Sequence, residues 1–213
     1  AEIEGAGTDT IRITGGHPLK SSSHRVIPDR IEAGTYAIAA AMTGGSVTLT
    51  SVPPQLLASL ISKMTEAGAV ITESEDSLTV SGAPPFDPVN ITTAEYPGFP
   101  TDLQAQFMAM MCLASGESVI TENIFEDRFK HAPELNRMGA RIVIRGRNGF
   151  VQGVDHLSGA AVTASDLRAS ASLVLAGLAA CGETRVLRIY HLDRGYERLD
   201  EKLAVLGARV SRV

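Results

Sequence analysis

The chain states one pattern three times. Aspartates that can open a helix stand at Asp29, Asp102 and Asp166. Each is followed by a glycine-led strand start: Gly44-Gly45-Ser46-Val47, Gly116-Glu117-Ser118-Val119 and Gly182-Glu183-Thr184-Arg185-Val186. A second helix then runs into Gly68-Ala69-Val70-Ile71, Gly139-Ala140-Arg141-Ile142 and Gly207-Ala208-Arg209-Val210. The markers recur roughly every 65–75 residues. Two copies continue into a hairpin, and the third stops at Val213, where that hairpin would begin. The pattern therefore predicts one pseudo-threefold α/β domain of β-α-β-α-β-β units, with mixed sheets and an edge strand missing.

Proline and aspartate set the helix starts. In Ile27-Pro28-Asp29 and Pro100-Thr101-Asp102, proline disfavours helix in the residue before it and aspartate can cap free N–H groups. The spacing predicts helices over 31–42, from Pro53-Pro54 through Glu66, from Asp102 through Leu113, over 129–138, from Asp166 through Ala180, and over 197–206 leading into 208–213. Strands are expected over 46–52, 118–122 and 185–189, with hairpins at 70–82 and 141–153. Residues 1–15 read as a further hairpin around Gly5-Ala6-Gly7, the tail of a fourth repeat, and 15–24 as a linker. The start at Ala1 rather than Met points the same way, to an upstream part.

With 44% hydrophobic residues the chain can bury a real core. Its net charge of −5, with signs interspersed, argues against a nucleic-acid or membrane-surface binder, though a few local arginines suffice for an anionic small substrate. No apolar run reaches membrane-spanning length, and no targeting peptide is visible. Cys112 and Cys181 fall in apolar helical surroundings without metal-ligand spacing, which predicts buried, reduced thiols in a cytoplasmic protein.

Helix N-termini attract anions, so Asp29, Asp102 and Asp166 are the first place to look for chemistry. For a single such aspartate the favoured role is a plain cap. Asp102 stands apart because Glu95-Tyr96-Pro97-Gly98-Phe99-Pro100-Thr101 makes a stiff approach to an ordinary helix. The arginines beside acidic residues, Arg30, Arg128, Arg168, Arg194 and Arg198, suit carboxylate or phosphate. For Arg30 and Arg198 the favoured role is Arg–Asp pairing that knits the repeats, whereas Arg194, before a glycine in a turn, favours an anion contact. His17, His24, His131, His156 and His191 form no metal-spaced pair; His191 is either a base beside Asp193 or a polar turn residue. No nucleophile elbow, phosphate loop or Rossmann glycine triplet is present. The residues alone lead to a pseudo-threefold α/β domain with an Asp/Arg-lined anion site.

Four stretches carry a family resemblance: Val26-Ile27-Pro28-Asp29-Arg30-Ile31-Glu32-Ala33-Gly34-Thr35, Pro97-Gly98-Phe99-Pro100-Thr101-Asp102-Leu103-Gln104-Ala105-Gln106-Phe107, the run from Asp166-Leu167-Arg168-Ala169-Ser170 to Gly177, and Ile189-Tyr190-His191-Leu192-Asp193-Arg194-Gly195-Tyr196-Glu197-Arg198. They resemble the bacterial UDP-N-acetylglucosamine enolpyruvyl transferases (1-carboxyvinyltransferases), along the whole chain. The resemblance implies two similar domains, each an inside-out α/β barrel of three units, with the active site between them. This chain is similar to the C-terminal half: residues 1–25 end the other domain and cross over, and 26–213 form the C-terminal domain in units of about 26–92, 93–160 and 161–213. The strand missing from the last unit would come from the N-terminus of the full chain.

The implied reaction transfers the enolpyruvyl group of phosphoenolpyruvate to the 3-hydroxyl of UDP-N-acetylglucosamine, without a metal or other cofactor, as the first committed step of peptidoglycan synthesis. By motif, Asp102 is the carboxylate at that hydroxyl and the candidate base. Ile124 contacts the nucleotide sugar through its backbone, Arg194 clamps phosphoenolpyruvate, Asp166 and Arg168 line the pocket, and Arg128 joins them. The family's proton-donating cysteine lies on the other domain, so Cys112 and Cys181 do not take that role, and the chain alone is expected to be inactive. An isolated non-catalytic domain is the alternative. The sister enolpyruvylshikimate phosphate synthase fits the runs at Phe99–Gln106 and Asp166–Ser170 less well. An unclosed sheet edge also predicts a homodimer.

Overall fold

The computed structural model describes every residue of the chain except His17, which lies in the expected linker. Strands β1 (Glu2–Glu4) and β2 (Arg12–Thr14) pair antiparallel, with Ile3 opposite Ile13, and all six residues are exposed.

Helix α1 (Arg30–Met42) opens on Asp29, whose carboxylate accepts from the N–H groups of Ile31 and Glu32 at 2.8 and 3.1 Å. Its alanine-rich sequence is apolar on nearly every side, and such a helix belongs inside a core. After it come β3 (Ser46–Thr50), a 3₁₀ turn (Pro54–Leu57) running into α2 (Ala58–Glu66), and the hairpin β4 (Val70–Glu73) and β5 (Ser77–Ser81). These strands form an antiparallel sheet in the order β3-β5-β4.

The second group adds a strand in front. It comprises β6 (Ile91–Thr92), a 3₁₀ turn (Thr101–Leu103), α3 (Gln104–Met111), β7 (Glu117–Thr121), α4 (Ala132–Arg137), β8 (Arg141–Arg145) and β9 (Asn148–Gln152). Its sheet is ordered β6-β7-β9-β8, with β6 parallel to β7. Helix α4 is shorter than the expected 129–138 because the chain before it turns through Asp127, at a φ of 51°. The third group has β10 (Ala161–Thr163), α5 (Leu167–Ala179), β11 (Arg185–Leu187), a 3₁₀ turn (Ile189–Arg194) and α6 (Leu199–Val205). Here β10 and β11 make a two-stranded parallel sheet. Strand β11 stops early because Arg188 takes a left-handed conformation, and residues 208–213 carry no strand. The leading parallel strand is thus seen in the second and third groups, and the hairpin in the first and second.

Helices α1, α3 and α5 pack on one another at the centre, with the sheets outside. All eight residues of α3 are buried, among them Phe107, Met108, Met110 and Met111. Burying each such side chain stabilises the fold by about 1.5–3 kcal/mol. The strands alternate, sending Leu78 and Val80 (β5), Ile120 (β7) and Val151 (β9) inward. Gly34 lets α1 approach closely, since a methyl group there would fall 2.7 Å from a Leu103 δ-carbon. The starts of α1 and α3 therefore meet, and the start of α5 joins them through the polar contacts described next.

Candidate active site

Asp29 and Asp166 are N-caps, but Asp102 is not. Asp166 accepts from the N–H groups of Arg168 and Ala169 at 3.0 and 2.9 Å. At Asp102 the chain makes a 3₁₀ turn first, so the helix proper starts at Gln104 and no N–H claims the carboxylate. The stiff lead-in is tied down on both sides. Thr93 bridges to Phe99, Ser59 donates to the Gly98 carbonyl, and Phe99 packs edge-on against Phe107 at 5.3 Å.

The freed carboxylate lies between two guanidinium groups. Arg128 donates to Oδ1 at 2.5 Å and Arg168 to Oδ2 at 2.8 Å. Burial by itself would raise the Asp102 pKa. The hydrogen bond and charge of Arg168, then those of Arg128, outweigh it and hold the group below its ordinary value. Asp102 is therefore an anion at neutral pH, with two cations on it.

Each arginine is itself positioned. Arg168 rises from the first turn of α5, on the cap made by Asp166, and lies over the Tyr196 ring at 5.9 Å. Burial pulls the Asp166 pKa up, but the donors on it, led by the Ala169 N–H, bring it below the ordinary value. The buried Tyr196 hydroxyl shares hydrogen bonds with Thr35 (2.8 Å) and Gln106 (3.1 Å), and Gln106 also donates to the Asp102 carbonyl at 3.0 Å. One residue from α1, one from α3 and Tyr196, just past the last 3₁₀ turn, thus form a polar knot under the site. Arg128 sits over the Phe125 ring at 4.7 Å, on the loop that follows β7. In that loop Ile124 is exposed, and its N–H is already donated to Glu122 at 2.9 Å.

Arg194 ends the 3₁₀ turn Ile189–Arg194, is exposed and makes no ion pair among the described residues. Buried Leu192 and Tyr196 anchor this turn on either side of it. Gly195 lies against α5, where a methyl group would fall 2.7 Å from Leu167. Asp102, Arg128, Arg168 and the Asp166 cap are thus one cluster, Ile124 stands on the loop that delivers Arg128, and Arg194 leaves the turn that delivers Tyr196. Among the described residues no three His, Cys, Asp or Glu side chains are grouped to hold a metal.

Several expectations need correction. Arg30 does not pair with an aspartate but stacks over Tyr96 at 5.3 Å. Arg198 stands just before α6 and pairs with Glu201 in that helix's first turn. The ion pairs that join the groups are Arg168–Asp102 and Lys202–Glu32, the latter at 2.7 Å. Asp193 is taken by Arg212 at 2.5 Å, and Arg212 also reaches Asp200 at 3.1 Å, so no His191–Asp193 dyad forms. Cys112 is buried, which pushes its thiol up to about 12, whereas Cys181 is exposed beyond the end of α5. The sequence reading did not single out Tyr196, Thr35, Gln106 or Glu122. Gln106 had a signal: it is a polar residue in an apolar helix, four positions after Asp102.

Comparison with known proteins adds to this geometry. The family profile described as EPSP synthase (3-phosphoshikimate 1-carboxyvinyltransferase) matches residues 1–203. The chain belongs to this carboxyvinyltransferase family. It is 57% identical over 212 residues to UDP-N-acetylglucosamine 1-carboxyvinyltransferase 1 of Caldanaerobacter subterraneus subsp. tengcongensis, covering 100% of this chain and 51% of that protein. It is 58% identical over 214 residues to UDP-N-acetylglucosamine 1-carboxyvinyltransferase of Caulobacter sp., covering 100% and 50%. The crystal structure of the enolpyruvyl transferase NikO from Streptomyces tendae superposes with a TM-score of 0.79 at 31% identity, over 88% of this chain and 45% of NikO. The inside-out arrangement of helices and sheets is thus that of an enolpyruvyl transferase. The chain spans about half the length of the curated carboxyvinyltransferases it matches.

Proposed function

We propose that this chain supplies half of an active site that moves the enolpyruvyl group of phosphoenolpyruvate to the 3-hydroxyl of UDP-N-acetylglucosamine and releases phosphate. The enzyme would work in the cytoplasm, at the first committed step of peptidoglycan synthesis. The observation that carries the proposal is the Asp102 carboxylate, ionised and gripped by Arg128 and Arg168 in an otherwise acidic chain. The identity to proteins of that name supports the choice of substrates.

Asp102 takes the proton of the 3-hydroxyl as its oxygen bonds to C2 of phosphoenolpyruvate. A proton is added at C3 by an acid on the other half, giving a tetrahedral ketal. Loss of the C3 proton and cleavage of the C2–O bond then release phosphate and leave the enolpyruvyl ether. A carboxylate held this low is a weak base in the free protein. Its value lies in reach, and anionic substrates that share the two arginines loosen their hold on it. Arg194, exposed and free of ion pairs among the described residues, is the clamp for phosphoenolpyruvate; Asp166, Arg168 and Ile124 shape the nucleotide-sugar side. In this reading residues 1–25 belong to the other domain and the crossover, and 26–213 form the C-terminal domain.

The test is to mix this chain with a separately produced complementary half and follow phosphate release from phosphoenolpyruvate. Release that needs both halves and the nucleotide sugar is expected. A soluble complex that releases nothing would reduce the chain to a domain without catalytic work.

A further inference from the structure

The chemistry above makes no use of Glu122, a carboxylate only 1% exposed that directly follows β7. Its Oε2 accepts from the Thr101 hydroxyl at 2.8 Å. Its Oε1 accepts from the Thr93 hydroxyl at 2.8 Å and from the N–H groups of Ile124 and Phe125 at 2.9 and 3.1 Å. No cation pairs with it among the described residues. Burying a carboxyl group is costly unless donors replace its water, and here four neutral donors do so.

Three of those donors belong to two different pieces of the site, and the fourth, Thr93, directly follows β6. Thr101 precedes Asp102 in the 3₁₀ turn, so one oxygen fixes the turn that presents the reacting carboxylate. Ile124 and Phe125 begin the loop that carries Arg128, so the other oxygen fixes that loop. The contacts close on themselves: Thr101 to Glu122, Glu122 to Phe125, the Phe125 ring to Arg128, and Arg128 to Asp102. Arg147 clamps the same loop from the β8–β9 turn, donating to the Asn123 carbonyl at 3.0 Å, while its own carbonyl takes the Glu122 N–H at 2.8 Å.

We propose that Glu122 is a positioning residue for the transfer, setting the distance between Asp102 and the loop that bears Ile124 and Arg128. This rests on the reading of Asp102 as the base at the sugar hydroxyl. Misplacement of a reacting group by about 1 Å can cost about a hundredfold in rate, so a rigid carboxyl shared by both pieces has a kinetic consequence.

The test uses the enzyme assembled from both halves, with kcat, KM for the nucleotide sugar and the thermal midpoint measured for each variant. Thr101→Val cuts only the Asp102 arm and is expected to lower kcat about tenfold, with KM within about twofold. Glu122→Ala cuts both arms and is expected to lower kcat by about a hundredfold and raise KM several-fold. Glu122→Gln keeps the Oε1 contacts and lets Thr101 turn to accept instead, so it recovers most of the lost rate. If Glu122→Ala does not fold, Thr101→Val and Glu122→Gln decide. Folded variants with unchanged kcat and KM, or a Gln variant no better than Ala, would overturn the inference. If Asp102→Ala is inactive in the same assay while the Glu122 and Thr101 variants behave as unaltered enzyme, the transferase reading stands and this inference alone falls. No release from the unaltered mixture would remove both.

Discussion

Asp102 owes its role to what it lacks. No helix N–H claims its carboxylate, unlike those of Asp29 and Asp166, and two arginines have it instead. Asp102→Ala in the two-half enzyme should lower turnover about a thousandfold or more while the fold survives, since the group is half-exposed and its loss leaves no cavity in the core. Near-normal turnover would take it out of the reaction. His131 offers a second test at this scale. Burial, aided by Arg128 and opposed by Asp166, pushes it down to about 4, and its Nε2 has no hydrogen-bond partner among the described residues. The unfolded state then binds the extra proton, so stability is full above about pH 6.5 and falls as pH drops toward 4, by on the order of 3 kcal/mol. The lowered Asp102 and Asp166 values act in a more acidic window, where stability is lost as pH falls through their own folded pKa values. Urea unfolding from pH 7 to 4 should show the histidine slope in the parent and not in His131→Leu. Equal slopes would assign it elsewhere.

At the scale of elements, two caps of the same type carry different burdens. Asp29 only caps α1, so Asp29→Ala should cost about 1 kcal/mol and leave turnover intact. Asp166 caps α5 at the turn that aims Arg168, so Asp166→Ala should cost about as much stability and also lower turnover. Matched thermal midpoints with matched activities would contradict that division. These starts were legible in the sequence because a cap is a local event: the residue and the N–H groups it satisfies lie within four positions. The helix and strand order was legible for the same reason, through apolar periodicity and glycine stops. What the sequence did not disclose is long-range. Arg30 and Arg198 read as knitting residues, yet the choice between Tyr96, Glu201 and an aspartate depends on which side chains the tertiary fold brings near. The Tyr196–Thr35–Gln106 knot and the Glu122 junction are invisible for that reason too.

For the whole molecule, the repeat made the pseudo-threefold plan readable, and the open strands follow from it. Among the described residues β3 pairs only with β5, and β11 only with β10, so each has an unpaired edge. Such edges recruit another strand. We expect the chain alone to sediment as a homodimer and to give a one-to-one complex when the complementary half is added; a stable monomer would count against this. The polar knot has a different consequence, one for the order of events in folding. The Tyr196 and Thr35 hydroxyls meet across 161 residues of chain, Gln106 and Tyr196 across 90, and Arg168 and Asp102 across 66. Loops that long close late, since their entropy must be overcome before the contacts they bring form. The site therefore comes into being only when all three groups have docked. A partly folded chain, however rich in helix, would be blind to ligand, and the recovery of binding during refolding would time the last step of assembly rather than the first.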